Sequence, residues 1–160
     1  GAALCPAAPP ARGAPAVNGK GPRHDPLPVA TSVRQTTGER GASGVRTILL
    51  GFSQGASMAL AVALARPEIA AGVAFLSGRC VPEMIPTDAE RRSALDCFPV
   101  LMTHGRFDTV ISIDKGRAAV DLLTQLPCMI EAHEFDMAHE IDKECLTVLT
   151  RWLQSRVNGL

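Results

Sequence analysis

The chain has 160 residues, enough for one domain with a sizeable core, and its hydrophobic and charged fractions of 46% and 20% are ordinary for a globular protein. Its 16 basic and 16 acidic residues cancel, which argues against nucleic acid or an anionic membrane surface as a partner. No apolar run approaches the roughly 20 residues that a spanning helix needs, so stable membrane insertion is not expected.

The cysteines are few, odd in number and widely spaced, and they include no CxxC pair: Cys5, Cys80, Cys97, Cys128 and Cys145. This pattern argues against both a disulfide framework and a zinc site. We interpret the cysteines as reduced thiols, most of them used in packing, and we therefore expect a cytoplasmic protein.

The beginning of the chain differs in composition from the rest. Residues 1–28 are rich in proline, alanine and glycine and hold almost no large apolar side chain. Such a segment cannot bury enough surface to offset its ordering entropy, so we expect a flexible tail. We expect residues 29–160 to form one α/β domain, with a weak helix over 29–41 at its start.

Two buried strands and a buried helix are predicted in the middle of the chain. Residues 46–51, "RTILLG", form an apolar run stopped by glycine, which predicts a short buried strand. Residues 54–66 are apolar almost all round, which predicts a helix packed against a sheet and ended by Pro67. Residues 71–78, "AGVAFLSG", predict the second strand.

The second half of the chain continues the alternation. The stretch 79–97 has two prolines and mixed polarity and is interpreted as an excursion outside the sheet. Strands are predicted at 98–105 and 128–135, the latter amphipathic as expected near a sheet edge, with a helix over 114–126 between them. A last helix running to about Val157 is predicted from an apolar stripe made of Ile141, Cys145, Val148, Leu149, Trp152 and Leu153.

Strands that alternate with helices predict a parallel sheet covered on both faces. The first predicted strand is too apolar to lie at an edge, where it would be an aggregation site. We therefore expect another strand to pair with it, although residues 1–45 offer no good candidate.

The pentapeptide "GFSQG" places Ser53 between a buried strand and a buried helix, the setting of a nucleophile elbow. The sharp turn would strain Ser53 and project its hydroxyl, and side chains at Gly51 and Gly55 would clash with neighbouring elements. The backbone N–H of Gln54, at the helix N-terminus, would then face a tetrahedral oxyanion. The alternative is a serine N-cap with incidental glycines.

A serine nucleophile needs a base, and the base needs an orienting carboxylate. Asp108 follows the third predicted strand and His139 follows the fourth, which gives the chain order Ser, acid, His. Both positions are carboxyl ends of strands, where parallel sheets build their sites.

Other acids and histidines are weaker candidates. Asp136 is too close to His139 along the chain, and Asp114 is expected to cap a helix. His104 is expected to be a packed, hydrogen-bonded histidine, and His133 to face solvent or a neighbour within its strand. A metal site at His133 and His139 is not expected, because their spacing is wrong and further ligands are lacking. His24 lies in the tail.

The chain resembles the phospholipase/carboxylesterase family in four segments that occur in the family's order: "RTILLGFSQGASMALAVAL", "GVAFLSGR", "FPVLMTHGRFDTVI" and "FDMAHEI". The similarity runs from about Val45 to Leu153. It implies an α/β-hydrolase fold, no cofactor, and a serine hydrolase that acts on carboxylic esters or thioesters, of the carboxylesterase, acyl-protein thioesterase or lysophospholipase type. Carried over by position, it makes Ser53 the nucleophile, Asp108 the orienting acid and His139 the base.

The resemblance leaves a second interpretation open. The strands that precede "RTILL" in the family, and a His-Gly loop that supplies a second oxyanion donor, have no counterpart in residues 1–45. The alternative is therefore a truncated, catalytically silent hydrolase-like fragment or interaction module. Val81, Met84 and Ile85 in the excursion are either part of an acyl-binding wall or a simple surface loop. Substrate-binding residues and the oligomeric state stay unknown.

Overall fold

The computed structural model describes residues 47–158, which form a four-stranded sheet and four α-helices. The strands are β1 (Ile48–Phe52), β2 (Gly72–Leu76), β3 (Pro99–Gly105) and β4 (Met129–Phe135), and the helices are α1 (Gln54–Ala65), α2 (Ala89–Ala94), α3 (Ile113–Leu123) and α4 (Lys143–Asn158). All predicted elements of this region are present, with ends that differ by a few residues. The predicted tail over 1–28 and weak helix over 29–41 lie outside the described residues.

The sheet has the order β1-β2-β3-β4, and every neighbouring pair is parallel. Phe52 pairs with Leu76, and Gly105 pairs with Phe135, so the carboxyl ends of the strands lie along one side of the sheet. The predicted parallel α/β architecture is confirmed.

Helices cover both faces of the sheet. One face carries the larger core cluster, in which Leu60 and Leu64 of α1 and Leu123 of α3 pack around Phe75. On the other face, Leu149 and Trp152 of α4 pack against Leu101 and its neighbours. Each fully buried large side chain contributes about 1.5–3 kcal/mol relative to its exposed state, so the two clusters hold the strands in place from both sides.

The structure agrees with the prediction for one outer strand of the sheet and not for the other. β4 is amphipathic and lies at an edge, as predicted. Within residues 47–158, however, β1 pairs only with β2, so the expectation that another strand covers β1 is not met there. Leu50 of β1 is consequently 49% exposed.

The excursion over 79–97 contains a 3₁₀ helix at Pro82–Met84 and the short helix α2. Met84 and Ile85 pack against the larger core cluster, which explains their apolar character without a ligand. The acyl-binding wall stays a prediction. Ile141 was expected on the last helical stripe but precedes α4 and is 40% exposed.

Within residues 47–158, three cysteines are free thiols, as expected: Cys80, Cys128 and Cys145. Cys5 lies outside the described residues. Cys97 differs from that expectation, because it is disulfide-bonded. Among the described helices, none is both long and apolar enough to span a bilayer. A cytoplasmic location stays a prediction.

Candidate active site

Ser53 occupies the turn between β1 and α1 and has φ 55° and ψ −122°, a conformation that is costly for a residue with a Cβ. Its backbone N–H donates to the Leu76 carbonyl at 2.9 Å, which fixes the turn to the neighbouring strand. A Cβ at Gly51 would lie 2.1 Å from the Gly55 carbonyl oxygen. The glycine at 51 therefore permits the close approach of strand and helix that exposes the serine.

Asp108 lies in the loop after β3, and its side chain has no exposed surface. Its Oδ1 accepts hydrogen bonds from the backbone N–H groups of Val110 and Ile111, both at 2.8 Å. These donors compensate the buried negative charge and fix the orientation of the carboxylate, so Oδ2 faces the interior of the site.

His139 lies in the loop after β4 and joins the other two side chains. Its Nδ1 is 2.7 Å from Asp108 Oδ2, and its Nε2 is 2.8 Å from Ser53 Oγ. Because a carboxylate only accepts, Nδ1 carries the proton and Nε2 accepts from the serine hydroxyl. The ring centroid of Phe52 is 4.8 Å from that of His139 and supports it from one side. The structure therefore brings Ser53, His139 and Asp108 into one hydrogen-bonded chain.

The β4 loop crosses much of the sheet to make this contact. β1 and β4 are three strand spacings apart, or about 14 Å. The loop runs over the end of β3, where a Cβ at Gly105 would lie 2.3 Å from the Met137 carbonyl oxygen and 2.4 Å from that of Ala138. Gly105 was not among the predicted site residues. Its only signal was its position at a predicted strand end.

Gln54 is the first residue of α1, and its backbone N–H has no acceptor among residues 47–158. The first N–H groups of a helix lack intrahelical partners and carry partial positive charge. The N–H of Gln54 is therefore available to a negatively charged oxygen beside Ser53.

Three of the weaker candidates have other partners, and His24 lies outside the described residues. His104 is buried and bonds to the Ile111 carbonyl, and His133 bonds to Glu131. Asp136 accepts from Arg106 at 2.6 Å. Asp114 was expected to cap a helix, but Ser112 is the N-cap of α3 and Asp114 lies one residue inside it.

An ion-pair network lies on the β4 side of the site. Glu134 accepts from Arg117 at 2.8 and 2.9 Å and from Arg106 at 3.3 Å. The Arg117 guanidinium, followed by that of Arg106, holds the pKa of Glu134 below its usual value of 4.5. Arg106 also binds Asp136, so the network ties β4 and its loop to β3 and α3.

A cavity of about 850 Å³ also lies along the β4 side, and its lining includes His104, Arg117, His133 and Glu134. Ser53, Asp108 and His139 are not among its lining residues. Four of its charged groups pair with one another, because Glu134 binds Arg106 and Arg117, and Arg106 also binds Asp136. Among the described residues, no group of three or more His, Cys, Asp or Glu side chains is arranged to hold a metal ion.

Comparisons with known proteins identify the family of this chain. The model of the phospholipase/carboxylesterase family matches residues 30–157. A probable carboxylesterase SOBER1-like of Arabidopsis thaliana is 30% identical over 118 residues, which are 69% of this chain and 42% of that protein. Acyl-protein thioesterase 1 of Saccharomyces cerevisiae is 29% identical, covering 76% of this chain and 54% of that protein. This chain therefore spans about half the length of these relatives.

Solved structures match this one over a similar share of their length. The crystal structure of esterase PE8 has a TM-score of 0.60 and 31% identity, covering 71% of this chain and 52% of that one. The crystal structure of Arabidopsis thaliana SOBER1 has a TM-score of 0.58 and 26% identity, covering 73% of this chain and 56% of that one. The similarity thus extends from sequence to the arrangement of strands and helices.

Proposed function

This chain belongs to the phospholipase/carboxylesterase family, and we propose that it is a serine hydrolase that cleaves carboxylic esters or thioesters. The hydrogen-bonded chain from Ser53 through His139 to Asp108 carries this proposal. In it, Ser53 is the nucleophile, His139 the general base and Asp108 the orienting acid.

The reaction has two stages. In the first, Ser53 Oγ attacks the acyl carbon while its proton moves to His139 Nε2, and the resulting imidazolium is stabilised by Asp108. The imidazolium then protonates the leaving alcohol or thiol, and an acyl-serine ester remains. In the second stage, His139 takes a proton from water as the water oxygen attacks the acyl carbon. The imidazolium then returns a proton to Ser53 Oγ as the acyl–oxygen bond breaks, which releases the acid and the free serine.

The backbone N–H of Gln54 is the proposed oxyanion donor. Its place at the start of α1 and its lack of another acceptor within residues 47–158 support this role. One donor of this kind is worth about 10²–10³ in kcat.

An acyl chain is the substrate feature that the surroundings favour. Phe107 and Val110 flank Asp108 in the chain and are 53% and 69% exposed, and Ile141 follows His139 by two residues and is 40% exposed. Exposed apolar side chains beside a polar site suit a hydrocarbon chain attached to a reactive carbonyl. The names of the relatives, carboxylesterase and acyl-protein thioesterase, agree with such a substrate.

A fluorophosphonate probe tests the proposal directly, because it forms a bond from phosphorus to an activated serine oxygen and releases fluoride. We expect the 160-residue protein to be labelled at Ser53, and Ser53→Ala to abolish the labelling. Ser57→Ala is the matched control. Ser57 lies on α1 and is half-buried like Ser53, but its Oγ accepts a hydrogen bond from the Arg79 N–H and does not contact a histidine. Equal labelling of the wild type and Ser53→Ala would remove Ser53 from the mechanism.

Within residues 47–158, one edge of β1 has no pairing strand, which favours a second candidate, a silent hydrolase-like module that binds a partner. The two functions separate in the same experiment. A folded protein with a cooperative thermal transition that neither reacts with the probe nor hydrolyses p-nitrophenyl esters would support the silent module.

A further inference from the structure

His104 is a buried histidine that the proposed reaction does not use. It is 4% exposed, and its Nε2 lies 2.8 Å from the Ile111 carbonyl oxygen. Because a carbonyl only accepts, the Nε2 proton points at Ile111. Its Nδ1 has no hydrogen-bond partner among residues 47–158. Burying an imidazole nitrogen without a hydrogen-bond partner costs free energy of folding, so we look for a role of His104 that offsets this cost.

The surroundings of Asp108 suggest that reason. His104 Nε2 is 3.6 Å from Asp108 Oδ2, the oxygen that also accepts from His139. Ile111 meanwhile donates its N–H to Asp108 Oδ1 and accepts the His104 proton at its carbonyl. The turn over 108–111 is therefore held from both sides, by the carboxylate and by the imidazole.

Helix α3 packs closely against this imidazole. A Cβ at Gly116 would lie 2.6 Å from His104 Nδ1 and 2.7 Å from its Cγ, so only glycine allows the ring to lie this close to the helix. The ring thus has little freedom to turn, and its Nε2–H stays directed at the Asp108 turn.

We propose that His104 is a positioning residue that fixes the conformation of the 108–111 turn. In this conformation Asp108 Oδ1 accepts hydrogen bonds from two backbone N–H groups, and Asp108 Oδ2 accepts one from His139. The inference deepens the proposed function and rests on it. Without the His104 bond, the backbone at Ile111 is restrained on one side only, so its N–H loses its alignment with Asp108 Oδ1 and the His139 ring loses its fixed orientation.

Three substitutions separate positioning from packing. His104→Gln keeps a donor at about the position of Nε2, whereas His104→Leu fills similar space without one. His104→Asn is polar but too short to reach the Ile111 carbonyl. His133→Leu is the matched control. His133 lies on the adjacent strand β4, and its side chain bonds to Glu131 and not to the turn that contains Asp108.

Two measurements are made on the whole 160-residue protein. The first is kcat and KM for a p-nitrophenyl ester. The second is the far-downfield proton resonance of His139 Nδ1–H, assigned by its loss in His139→Gln, which reports the bond to Asp108 without any turnover. A protein that shows this resonance but no hydrolysis would refute the proposed function and still test the inference.

We expect His104→Leu to lower kcat about 10- to 100-fold with little change in KM, as a misplaced catalytic group does. We expect its downfield resonance to disappear. His104→Gln restores both, and His133→Leu leaves both unchanged. If His104→Leu fails to fold, His104→Gln and His104→Asn give the same comparison. The inference is overturned if kcat and the resonance are the same in the donor-keeping and donor-lacking variants.

Discussion

The two edges of the described sheet are built differently. The β4 edge carries three polar or charged residues: Glu131 and His133, which bond to each other, and Glu134, which binds Arg117. On the β1 edge, the whole segment 47–65 contains no charged residue, and Leu50 is half exposed.

The difference shows which strand is suited to be an edge. Charges along β4 discourage pairing with another strand, whereas β1 has the composition of a strand that lies between two others. The candidate site spans this contrast, because Ser53 lies at the end of β1 and His139 follows β4. The nucleophile thus comes from the less protected side of the sheet.

The largest effect is expected where the loop from the β4 edge reaches over to β1. Gly105→Ala places a methyl group against two carbonyl oxygens of that loop, at 2.3 and 2.4 Å. We expect it to lower the free energy of unfolding by about 3 kcal/mol. We also expect probe labelling to slow by about 100-fold, since His139 is displaced. Urea unfolding and labelling rates measure the two effects.

Gly72→Ala is the reference for that substitution. The Cβ that it adds would lie 3.0 Å from the nearest backbone atom, the Pro99 carbonyl oxygen. Equal losses in Gly72→Ala and Gly105→Ala would show that crowding of the loop is not the cause.

An intermediate effect is expected at the β1 edge itself. Leu50→Lys adds a charge to the uncharged strand, so we expect any self-association to weaken about tenfold, which is ~1.4 kcal/mol. Leu146→Lys is the matched control, because Leu146 lies on α4 and is 53% exposed, against 49% for Leu50. Sedimentation velocity over a range of protein concentrations measures the association. Equal behaviour of the two lysine variants would contradict the contrast between the edges.

The smallest effect is expected at the β4 edge. Glu134 is partly exposed, so we expect Glu134→Gln to lower the free energy of unfolding at neutral pH by less than about 1 kcal/mol. The pKa of Glu134 is lowered in the folded protein, so its stabilisation is complete above its usual pKa of 4.5 and is lost as the pH falls through the lowered pKa.

Urea unfolding at several pH values therefore separates the wild type from Glu134→Gln above pH 4.5 and brings them together in more acidic solution. Glu140→Gln is the control at neutral pH, because Glu140 is exposed and none of the ion pairs within residues 47–158 involves it, so we expect the free energy of unfolding to stay unchanged. A constant difference at every pH would mean that Glu134 acts through packing and not through its charge.

Much of this arrangement could be predicted from the sequence because its signals are local. The apolar run before Ser53 and the glycines around it occupy adjacent positions, so they predict the strand, the turn and the helix together. Asp108 and His139 could be selected because each follows a predicted strand.

Other features depend on contacts between distant segments. Gly105 matters because the main chain at 137 and 138 passes over it, and His104 matters because of Ile111 and Gly116. No local pattern contains such contacts. Asp114 was misassigned for a related reason, since acidic residues are common both at an N-cap and just inside a helix.

The distance in sequence between Ser53 and His139 bears on how the chain folds. Their side chains are 86 residues apart yet meet at 2.8 Å, and the strands between them must be assembled first. Contacts of such long range are costly in chain entropy and slow to form. We therefore expect the hydrogen bonds at Ser53 to form late in folding, after the hydrophobic clusters on the two faces have collapsed.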